Sequence, residues 1–176
     1  KNGKSVLKPL DQMGGRGIFI LEAEDPNFHS IIETSTLFGK QLVMVQSYLE
    51  AIKDGDCRIL LIDGEPIPYT LVRKPSDTDF RGNMAAGGTT SVRKLSGQEI
   101  ALCKAIGPTL AKKGLWFVGI DVIGGQLTEI NVTSPTGIEQ IEASSDAQIC
   151  ALLFKSLQSN LQSKQFFANE TPATKD

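Results

Sequence analysis

Histidine and cysteine are scarce in this 176-residue sequence, which contains one histidine and three cysteines. His29 lies in a predicted helix with no partner motif, so Ser-His-Asp, Cys-His and histidine-rich zinc chemistries are poorly supported. Cys57, Cys103 and Cys150 are widely spaced and each is embedded in an apolar pattern. That setting predicts buried, reduced thiols rather than a nucleophile or a metal ligand. Any catalysis must therefore use charge, a metal ion and backbone groups.

A long apolar run and a large excess of one charge are also missing. No apolar run reaches the roughly 18 residues that a membrane-spanning helix needs, and no charged-then-apolar leader precedes the first predicted strand. The 18 basic and 20 acidic side chains leave a formal net charge of -2. This balance offers no sequence-independent reason to bind nucleic acid or an anionic membrane. We expect a globular, cytoplasmic protein whose anion sites are local.

Turn signals and hydrophobic periodicity predict an α+β fold in which hairpins and helices are segregated. Strands are predicted at 5–10, 18–23, 42–49, 58–62, 67–74, 117–123 and 127–132, and helices at 25–38, 96–114 and 146–166. Residues 75–91 have almost no large apolar side chains and are predicted to form one long loop. Neither an internal repeat nor a low-complexity segment is present.

The hairpin predicted within residues 118–132 is the most informative segment, and its register decides its meaning. A two-residue turn at Gly124-Gly125 would place Asp121 opposite Thr128 and mix carboxylates with aliphatic side chains on each face. An odd loop centred on Gly125 instead places Asp121 opposite Glu129. We predict this second register, because it gathers the apolar side chains on one core face: Val118, Ile120, Val122, Thr128, Ile130 and Val132.

Asp121, Glu129 and Asn131 then share the other face of the hairpin. Two carboxylates and an amide oxygen are hard ligands that suit Mg²⁺, which shares its remaining positions with water and nucleotide phosphates. The alternative is a solvated sheet face with scattered polar groups. A metal site is favoured because no lysine or arginine accompanies the acids and because the second strand continues into Thr133-Ser134-Pro135-Thr136-Gly137. The hydroxyls and backbone amides of that segment suit an anion.

Phosphates beside such a metal ion need cationic and backbone donors. Lys8 lies on the strand before the Gly14-Gly15-Arg16-Gly17 loop, whose backbone is suited to close over phosphate oxygens. The loop lacks the Walker pattern, and a plain tight turn is the alternative. Arg81 is surrounded by small residues in the long loop and is either a closing, oxyanion-stabilising group or a solvated charge. Gln46-Ser47-Tyr48-Leu49 is either a hinge against adenine or ordinary strand packing.

Four segments resemble, in the same order, the signature segments of bacterial-type glutathione synthetases. They are Lys8-Pro9-Leu10-Asp11 with Met13-Gly14-Gly15, Ala51-Ile52-Lys53-Asp54-Gly55-Asp56, Arg81-Gly82-Asn83 with Ala85-Ala86-Gly87-Gly88, and Glu129-Ile130-Asn131-Val132-Thr133-Ser134-Pro135-Thr136. The likeness covers nearly all of residues 5–145. It implies an ATP-grasp fold in which ATP lies between two α+β lobes built on antiparallel sheets. The lobes would be a partial lid lobe at 1–46 and a catalytic lobe at 47–167, followed by a disordered tail at 168–176.

The resemblance also implies a role for each matching residue. ATP would contact Lys8, Gly14, Gly15, Gln46, Tyr48, Leu49 and Asp56, and Mg²⁺ or Mn²⁺ would bind Asp121, Glu129 and Asn131. Arg58 and Arg81 would be catalytic and face the acyl phosphate and the peptide substrate, with Thr133, Ser134 and Thr136 holding a substrate carboxylate. The implied reaction joins γ-glutamylcysteine to glycine with ATP, through an acyl phosphate, in a homo-oligomeric full-length enzyme.

Two departures from the family pattern stand at the start of the chain. Family members carry an amino-terminal domain and a further upstream lysine at the nucleotide site, and this sequence begins instead at Lys1. We therefore expect an upstream portion to be missing, the first lobe to be incomplete and the isolated chain to show weak or no ligase activity. Another ATP-grasp carboxylate-amine ligase and a non-catalytic nucleotide-binding fragment are the alternative functions.

Overall fold

A computed structural model describes residues 3–12, 14–76 and 88–170 of the chain, with side chains described as far as residue 162. It divides into two compact units, the first comprising Lys1–Gly55 and Lys74–Thr89 and the second Asp56–Arg73 and Thr90–Asp176. The first unit thus extends past the expected boundary at residue 46. One reason is that the backbone N–H of Tyr48 donates to the carbonyl oxygen of Lys4 at 3.0 Å, which ties residue 48 to the first strand.

In its described residues the first unit contains a three-stranded sheet, one α-helix and a 3-10 helix. Strands β1 (Ser5–Pro9), β2 (Phe19–Leu21) and β3 (Val43–Ser47) lie in the order β2-β1-β3, and β1 pairs antiparallel with both neighbours. Helix α1 (Phe28–Ser35) connects β2 to β3, and a 3-10 helix follows at Glu50–Asp54. Leu7, at the centre of β1, is 1% exposed and anchors the small core.

Helix α1 is shorter than the predicted range of 25–38. The Asp25 carboxylate accepts a hydrogen bond from the backbone N–H of Asn27 at 2.7 Å, so it closes a turn before the helix instead of capping it. At the other end Leu37 and Phe38 have φ values of 49° and 55°. Those left-handed backbone conformations cannot continue a right-handed helix.

The second unit is a five-stranded sheet with three helices. The strands β4 (Asp56–Ile62), β5 (Glu65–Lys74), β6 (Thr89–Lys94), β7 (Phe117–Ile123) and β8 (Gln126–Asn131) lie in the order β6-β5-β4-β7-β8. Helices α2 (Gly97–Lys112), α3 (Ile138–Ala143) and α4 (Ile149–Glu170) complete the unit. β4 pairs antiparallel with β5 and β7, and β7 pairs antiparallel with β8.

Strand β6 and helix α3 were missed by the sequence prediction. β6 has the sequence TTSVRK and occupies the end of the predicted loop at 75–91, and its single large apolar residue gives no alternation to detect. The last helix begins at Ile149 and continues to Glu170, so residues 168–170, expected in a disordered tail, are helical. Residues 171–176 lie outside the described part of the chain.

The core of the second unit forms on both faces of β4, the central strand. Ile59, Leu60 and Leu61 are all 0% exposed, and alternate residues of β4 join two separate apolar clusters. A strand that is covered on both faces is expected to consist of a continuous apolar run, as β4 does.

The predicted capping box of α2 is confirmed. Ser96 Oγ accepts a hydrogen bond from the backbone N–H of Glu99 at 3.3 Å, and Glu99 Oε2 accepts one from the backbone N–H of Ser96 at 2.7 Å. No helix within the described ranges is long and apolar enough to cross a membrane.

Candidate functional site

The hairpin of β7 and β8 sets the geometry of the site. Its turn is the two-residue Gly124-Gly125 turn, with φ values of 56° and 78°, so the odd loop that we predicted is wrong. Asp121 nevertheless pairs with Glu129, because a β-bulge leaves Thr128 as an extra residue on β8. One inserted residue shifts the register by one position and therefore restores the predicted pairing.

The predicted core face of this hairpin is confirmed on β7 but is wrong for Ile130 and Val132. Val118, Ile120 and Val122 on β7 are at most 1% exposed, whereas Ile130 is 43% and Val132 46% exposed. β7 lies between two strands, but β8 is the edge of the sheet, where an apolar side chain has fewer neighbours to cover it.

Asp121 is the centre of the candidate site and is only 3% exposed. Its Oδ1 accepts from Arg58 Nε at 2.5 Å and its Oδ2 from Arg58 Nη2 at 2.9 Å, which makes a bidentate ion pair. Arg73 Nη2 lies 3.0 Å from Oδ1, and Asn131 Nδ2 donates to Oδ2 at 3.4 Å. Burial by itself raises the pKa of Asp121, but the Arg58 hydrogen bonds and the Arg73 and Arg58 charges hold it below its ordinary value. Asp121 is therefore a carboxylate.

Asp56 shares Arg73 with Asp121. Arg73 Nη2 donates to Asp56 Oδ2, while Asp56 Oδ1 and Arg73 Nε are buried without a hydrogen-bond partner. Burial and the neighbouring Asp121 carboxylate raise the pKa of Asp56 to about 6, against the opposing effect of the Arg73 charge. Asp56, the predicted ribose contact, is thus a partly buried member of the same charge cluster.

Arg73 is the site residue that the sequence analysis missed. It stands in the apolar run of β5 and is only 8% exposed. The signal that could have identified it is the register of the β4–β5 hairpin, which places Arg73 directly opposite Asp56. A buried arginine opposite a partly buried aspartate is expected to pair with it, because an unpaired buried charge is strongly unfavourable.

Arg58 extends the cluster to the segment after β8. Its Nη1 lies 3.3 Å from the carbonyl oxygen and 3.4 Å from Oγ1 of Thr136, donating to both. Gly119 leaves room for this side chain, since a Cβ there would lie 3.1 Å from Arg58 Cδ. Thr133 and Ser134 are exposed on the same segment, and no described hydrogen bond joins them to the cluster.

The first unit carries the other predicted nucleotide contacts. In the β1–β3 register Lys8 is opposite Met44 and Val6 is opposite Gln46, so Lys8 and Gln46 project from the same face of the sheet. Both side chains are half-buried. The loop after β1 places Gly14-Gly15 at φ values of 67° and 75°, which only glycine adopts without strain.

Tyr48 and Leu49 follow β3 and are half-buried. The backbone N–H of Tyr48 already donates to Lys4, so it is not available to an adenine ring. Arg81 and its small neighbours lie in residues 77–87, outside the described part of the chain.

A metal ion fits the residue types at the β7–β8 edge. The strand register places Asp121, Glu129 and Asn131 on one face of the hairpin, and oxygen ligands such as theirs are those that Mg²⁺ prefers. The three carboxylates of Asp56, Asp121 and Glu129 outnumber the guanidinium groups of Arg58 and Arg73 by one charge. Across the described residues, no group of three or more His, Cys, Asp and Glu side chains is placed to hold a metal ion. A site at this edge would therefore need the Asn131 amide in addition to the carboxylates of Asp121 and Glu129.

The cysteines take no part in this chemistry. Cys57 and Cys103 are buried as predicted, and burial, with the nearby Glu99 charge, raises the pKa of each thiol to about 11. Cys150 is exposed, contrary to the prediction. It follows Ile149, which is 0% exposed, so the helix turns the next side chain outward.

Comparison with known proteins gives one family match. The model of the ATP-grasp domain of prokaryotic glutathione synthetase matches residues 1–146. Curated relatives named glutathione synthetase include one from Coxiella burnetii, 55% identical over 144 residues (82% of this chain, 45% of the relative), and one from Pseudomonas syringae pv. tomato, 52% identical over 165 residues (94% and 52%). The chain therefore spans about half the length of the curated relatives it matches.

Solved structures share the fold at low sequence identity. D-cycloserine synthetase matches with a TM-score of 0.65 and 17% identity over 92% of this chain and 57% of that one. D-alanine–D-alanine ligase from Bacillus anthracis matches with a TM-score of 0.55 and 18% identity over 96% and 57%. These likenesses, with the family model, confirm the predicted α+β ATP-grasp fold.

Proposed function

Because the chain belongs to the family of prokaryotic glutathione synthetase ATP-grasp domains, we propose that it supplies ATP binding and catalysis to a ligase that makes glutathione. The substrates would be ATP, γ-glutamylcysteine and glycine. The observation that carries the proposal is the buried Asp121 carboxylate, which is held by Arg58 and Arg73 and lies opposite Glu129 in the sheet. The curated relatives named glutathione synthetase support the same conclusion.

The reaction would proceed in two steps. The substrate carboxylate attacks the γ-phosphorus of ATP, the bond to the bridging oxygen breaks, and ADP leaves with formation of an acyl phosphate. The glycine amine then attacks the acyl carbon, loses a proton, and expels inorganic phosphate as the amide bond forms. Both steps concentrate negative charge on phosphoryl oxygens, so catalysis would rest on positioning and charge neutralisation. A site without an available histidine or thiolate is suited to that mechanism.

The β7–β8 edge would hold Mg²⁺ or Mn²⁺. Bound there, such an ion neutralises phosphate charge and orients the transferred group. Asp121, Glu129 and Asn131 would hold it, supported by their shared register and by the surplus carboxylate of the cluster. Arg58 and Arg73 fix the Asp121 carboxylate through three of its short contacts, so its position is set before any ligand arrives.

The nucleotide would contact Lys8, Gly14, Gly15, Gln46, Tyr48, Leu49 and Asp56. Lys8 offers a point charge to a phosphate, and the shared face of Lys8 and Gln46 supports a joint role for these two side chains. The left-handed glycines bring backbone N–H groups close to a phosphate without side-chain obstruction. The Tyr48 N–H is engaged, so Tyr48 would contribute its side chain or carbonyl oxygen.

The peptide substrate and acyl phosphate would meet Arg58 and Arg81, with Thr133, Ser134 and Thr136 at the substrate carboxylate. The hydrogen bonds from Arg58 to Thr136 support the part of this set that involves β4 and the segment after β8. A guanidinium presents several N–H donors in one plane and suits planar carboxylates and phosphoryl oxygens.

A chimera with the full length of a family member tests the proposed reaction. In it, this chain replaces the region that it matches in the Pseudomonas syringae relative. We expect glutathione, ADP and phosphate in equal amounts, requiring ATP, a divalent cation, γ-glutamylcysteine and glycine together. Product is identified by mass spectrometry, and a chimera carrying Asp121→Asn serves as the inactive control.

Two results would overturn the proposal. One is a folded chimera that makes no glutathione while the parent relative does so in the same assay. The other is a clear preference for a different acid or acceptor amine, which would identify another ATP-grasp ligase.

We also propose that the enzyme works in the cytoplasm as a homo-oligomer. Three free cysteines, one of them exposed, suit a reducing compartment. Phe154 and Leu161 on α4 are 70% and 62% exposed, and such apolar side chains are candidates for a subunit contact. Light scattering on the chimera would measure the assembly, and a monomer at micromolar concentration would contradict it.

A further inference from the structure

A cavity of about 480 Å³ opens on the second unit, away from the charge cluster. It is lined by Asp63, Trp116, Leu152, Lys155, Ser156, Ser159 and Asn160. Asp63 follows the end of β4, whereas Asp56 begins that strand. At about 3.3 Å per residue the two ends of β4 are roughly 20 Å apart. The cavity is therefore a separate feature and not part of the proposed ligase site.

The cavity presents one charge of each sign. Asp63 and Lys155 both line it, and in the part of the chain that the structure describes neither side chain has an ion-pair or hydrogen-bond partner. Opposite charges that share a cavity without pairing leave a cationic and an anionic position for a ligand. A ligand with only one charge would match only one of them.

The remaining lining provides an apolar surface and hydrogen-bonding groups. Trp116 and Leu152 supply the apolar area. The Ser159 hydroxyl donates to the Lys155 carbonyl oxygen at 3.0 Å, so its own oxygen remains an acceptor towards the cavity. The volume of the cavity falls within the roughly 300–1,000 Å³ of small-molecule sites, and most of it is open to solvent.

We propose that this cavity binds a small zwitterion of the amino-acid or short-peptide class. Its ammonium group binds Asp63, its carboxylate binds Lys155, and its apolar part packs on Trp116 and Leu152. The site is independent of the proposed ligase reaction, and its test uses neither ATP nor turnover.

Trp116 reports directly on binding, because it is the single tryptophan of the chain. The chain is titrated with leucylglycine, a zwitterion, and with three capped forms of the same dipeptide: the N-acetyl acid, the C-terminal amide and the doubly capped compound. We expect a saturable change in tryptophan fluorescence with leucylglycine. Removal of either ligand charge should weaken binding about tenfold, the effect of roughly one charge-assisted hydrogen bond.

Two variants assign each charge to its residue. Lys155→Gln should bind leucylglycine about tenfold more weakly and should no longer distinguish it from its amide. Asp63→Asn should instead no longer distinguish leucylglycine from its N-acetyl form. Asparagine tolerates the left-handed φ of 50° at this position, so the turn is preserved. Lys104→Gln removes an exposed charge on α2 and is the matched control, with parental affinity expected.

Three results would overturn the proposal in protein whose circular dichroism spectrum shows that it is folded. The first is no saturable fluorescence change with leucylglycine at millimolar concentration. The second is equal affinity for the four compounds, which would indicate apolar binding without charge recognition. The third is parental affinity and selectivity in both Lys155→Gln and Asp63→Asn.

Discussion

Arg58 is the side chain whose geometry matters most at the scale of single residues. It is 5% exposed and donates to both carboxylate oxygens of Asp121 while reaching Thr136. Lysine would keep the charge but not the planar fork that makes two parallel hydrogen bonds. The identity of the cation, and not only its charge, should therefore decide how well Asp121 is positioned.

We expect Arg58→Lys in the chimera to lower kcat by about a hundredfold, the loss typical when a group that positions the reaction is misplaced. The measurement is steady-state ADP release with saturating substrates, together with thermal unfolding to show that the variant is folded. A folded Arg58→Lys chimera with kcat within about twofold of the parent would show that the fork geometry is not needed.

Glu99 makes a separate, stabilising ion pair at the start of α2. Its carboxylate accepts from Arg93 Nη1 at 2.8 Å and Nη2 at 2.9 Å, and also from the backbone of Ser96. Burial by itself raises the pKa of Glu99, but the Arg93 and Ser96 hydrogen bonds outweigh it and lower the pKa from 4.5 to about 2. A lowered pKa in the folded state stabilises the fold above pH 4.5, and that stabilisation is lost as the pH falls towards 2.

We expect Glu99→Gln to lower the free energy of unfolding at pH 7 by about 1–2 kcal/mol, a value reduced for the solvent screening of the half-exposed Arg93. Its stability should also change less than that of the parent between pH 4.5 and pH 3. Urea unfolding at the three pH values measures both effects, and Glu139→Gln, at an exposed position on α3, is the control. Equal pH dependence in parent and Glu99→Gln would contradict the assignment.

At the scale of elements, α2 packs unusually closely on the β4–β5 turn. A Cβ on Gly107 would lie 2.1 Å from the carbonyl oxygen of Gly64, which is a backbone atom and cannot rotate away. Gly97 begins the same helix and has nothing within 4 Å of a built Cβ. The two glycines thus provide a matched pair on one element.

We expect Gly107→Ala to destabilise the fold by about 2–3 kcal/mol, because helix and turn must separate. Gly97→Ala should be neutral or stabilising by a few tenths of a kcal/mol, because alanine favours the helix. Thermal and urea unfolding compare the two variants. Equal unfolding free energies would show that the close approach at Gly64 has no energetic cost.

Elements with a strong local signal could be predicted from the sequence, and those set by packing could not. The α2 capping box and the apolar run of β4 are local, and both are confirmed. β6 has one large apolar side chain and is a strand because it pairs with the edge of β5. The Thr128 bulge likewise depends on how β8 meets β7, which no periodicity within β8 reveals.

The same limit applies to the candidate site. Asp121, Glu129 and Asn131 were predicted as one group, but the odd loop behind that prediction is wrong and the Thr128 bulge restores the pairing. Arg73 was missed because its partners Asp56 and Asp121 are on other strands, and only tertiary packing brings the three together. Exposure of Cys150 likewise depends on which face of α4 meets the sheet.

At the scale of the whole molecule, the chain is two compact units that carry different parts of the proposed chemistry. The first unit holds Lys8 and Gln46 on one face of its sheet, and the second holds the Asp121 cluster. The family match covers both units, and the curated relatives are about twice as long as the chain. The central claim is that the β7–β8 edge couples a divalent cation to ATP.

Calorimetry tests that claim most directly, by comparing ATP binding to the chain in the presence of Mg²⁺ with ATP binding after the ion has been chelated. We predict Mg²⁺-dependent binding that Glu129→Gln weakens at least about tenfold, because we propose Glu129 as a ligand of the ion. Its side chain is exposed, so the substitution should not affect folding. Glu139→Gln should bind like the parent. ATP binding of equal affinity with and without Mg²⁺, or unchanged binding in Glu129→Gln, would contradict the account.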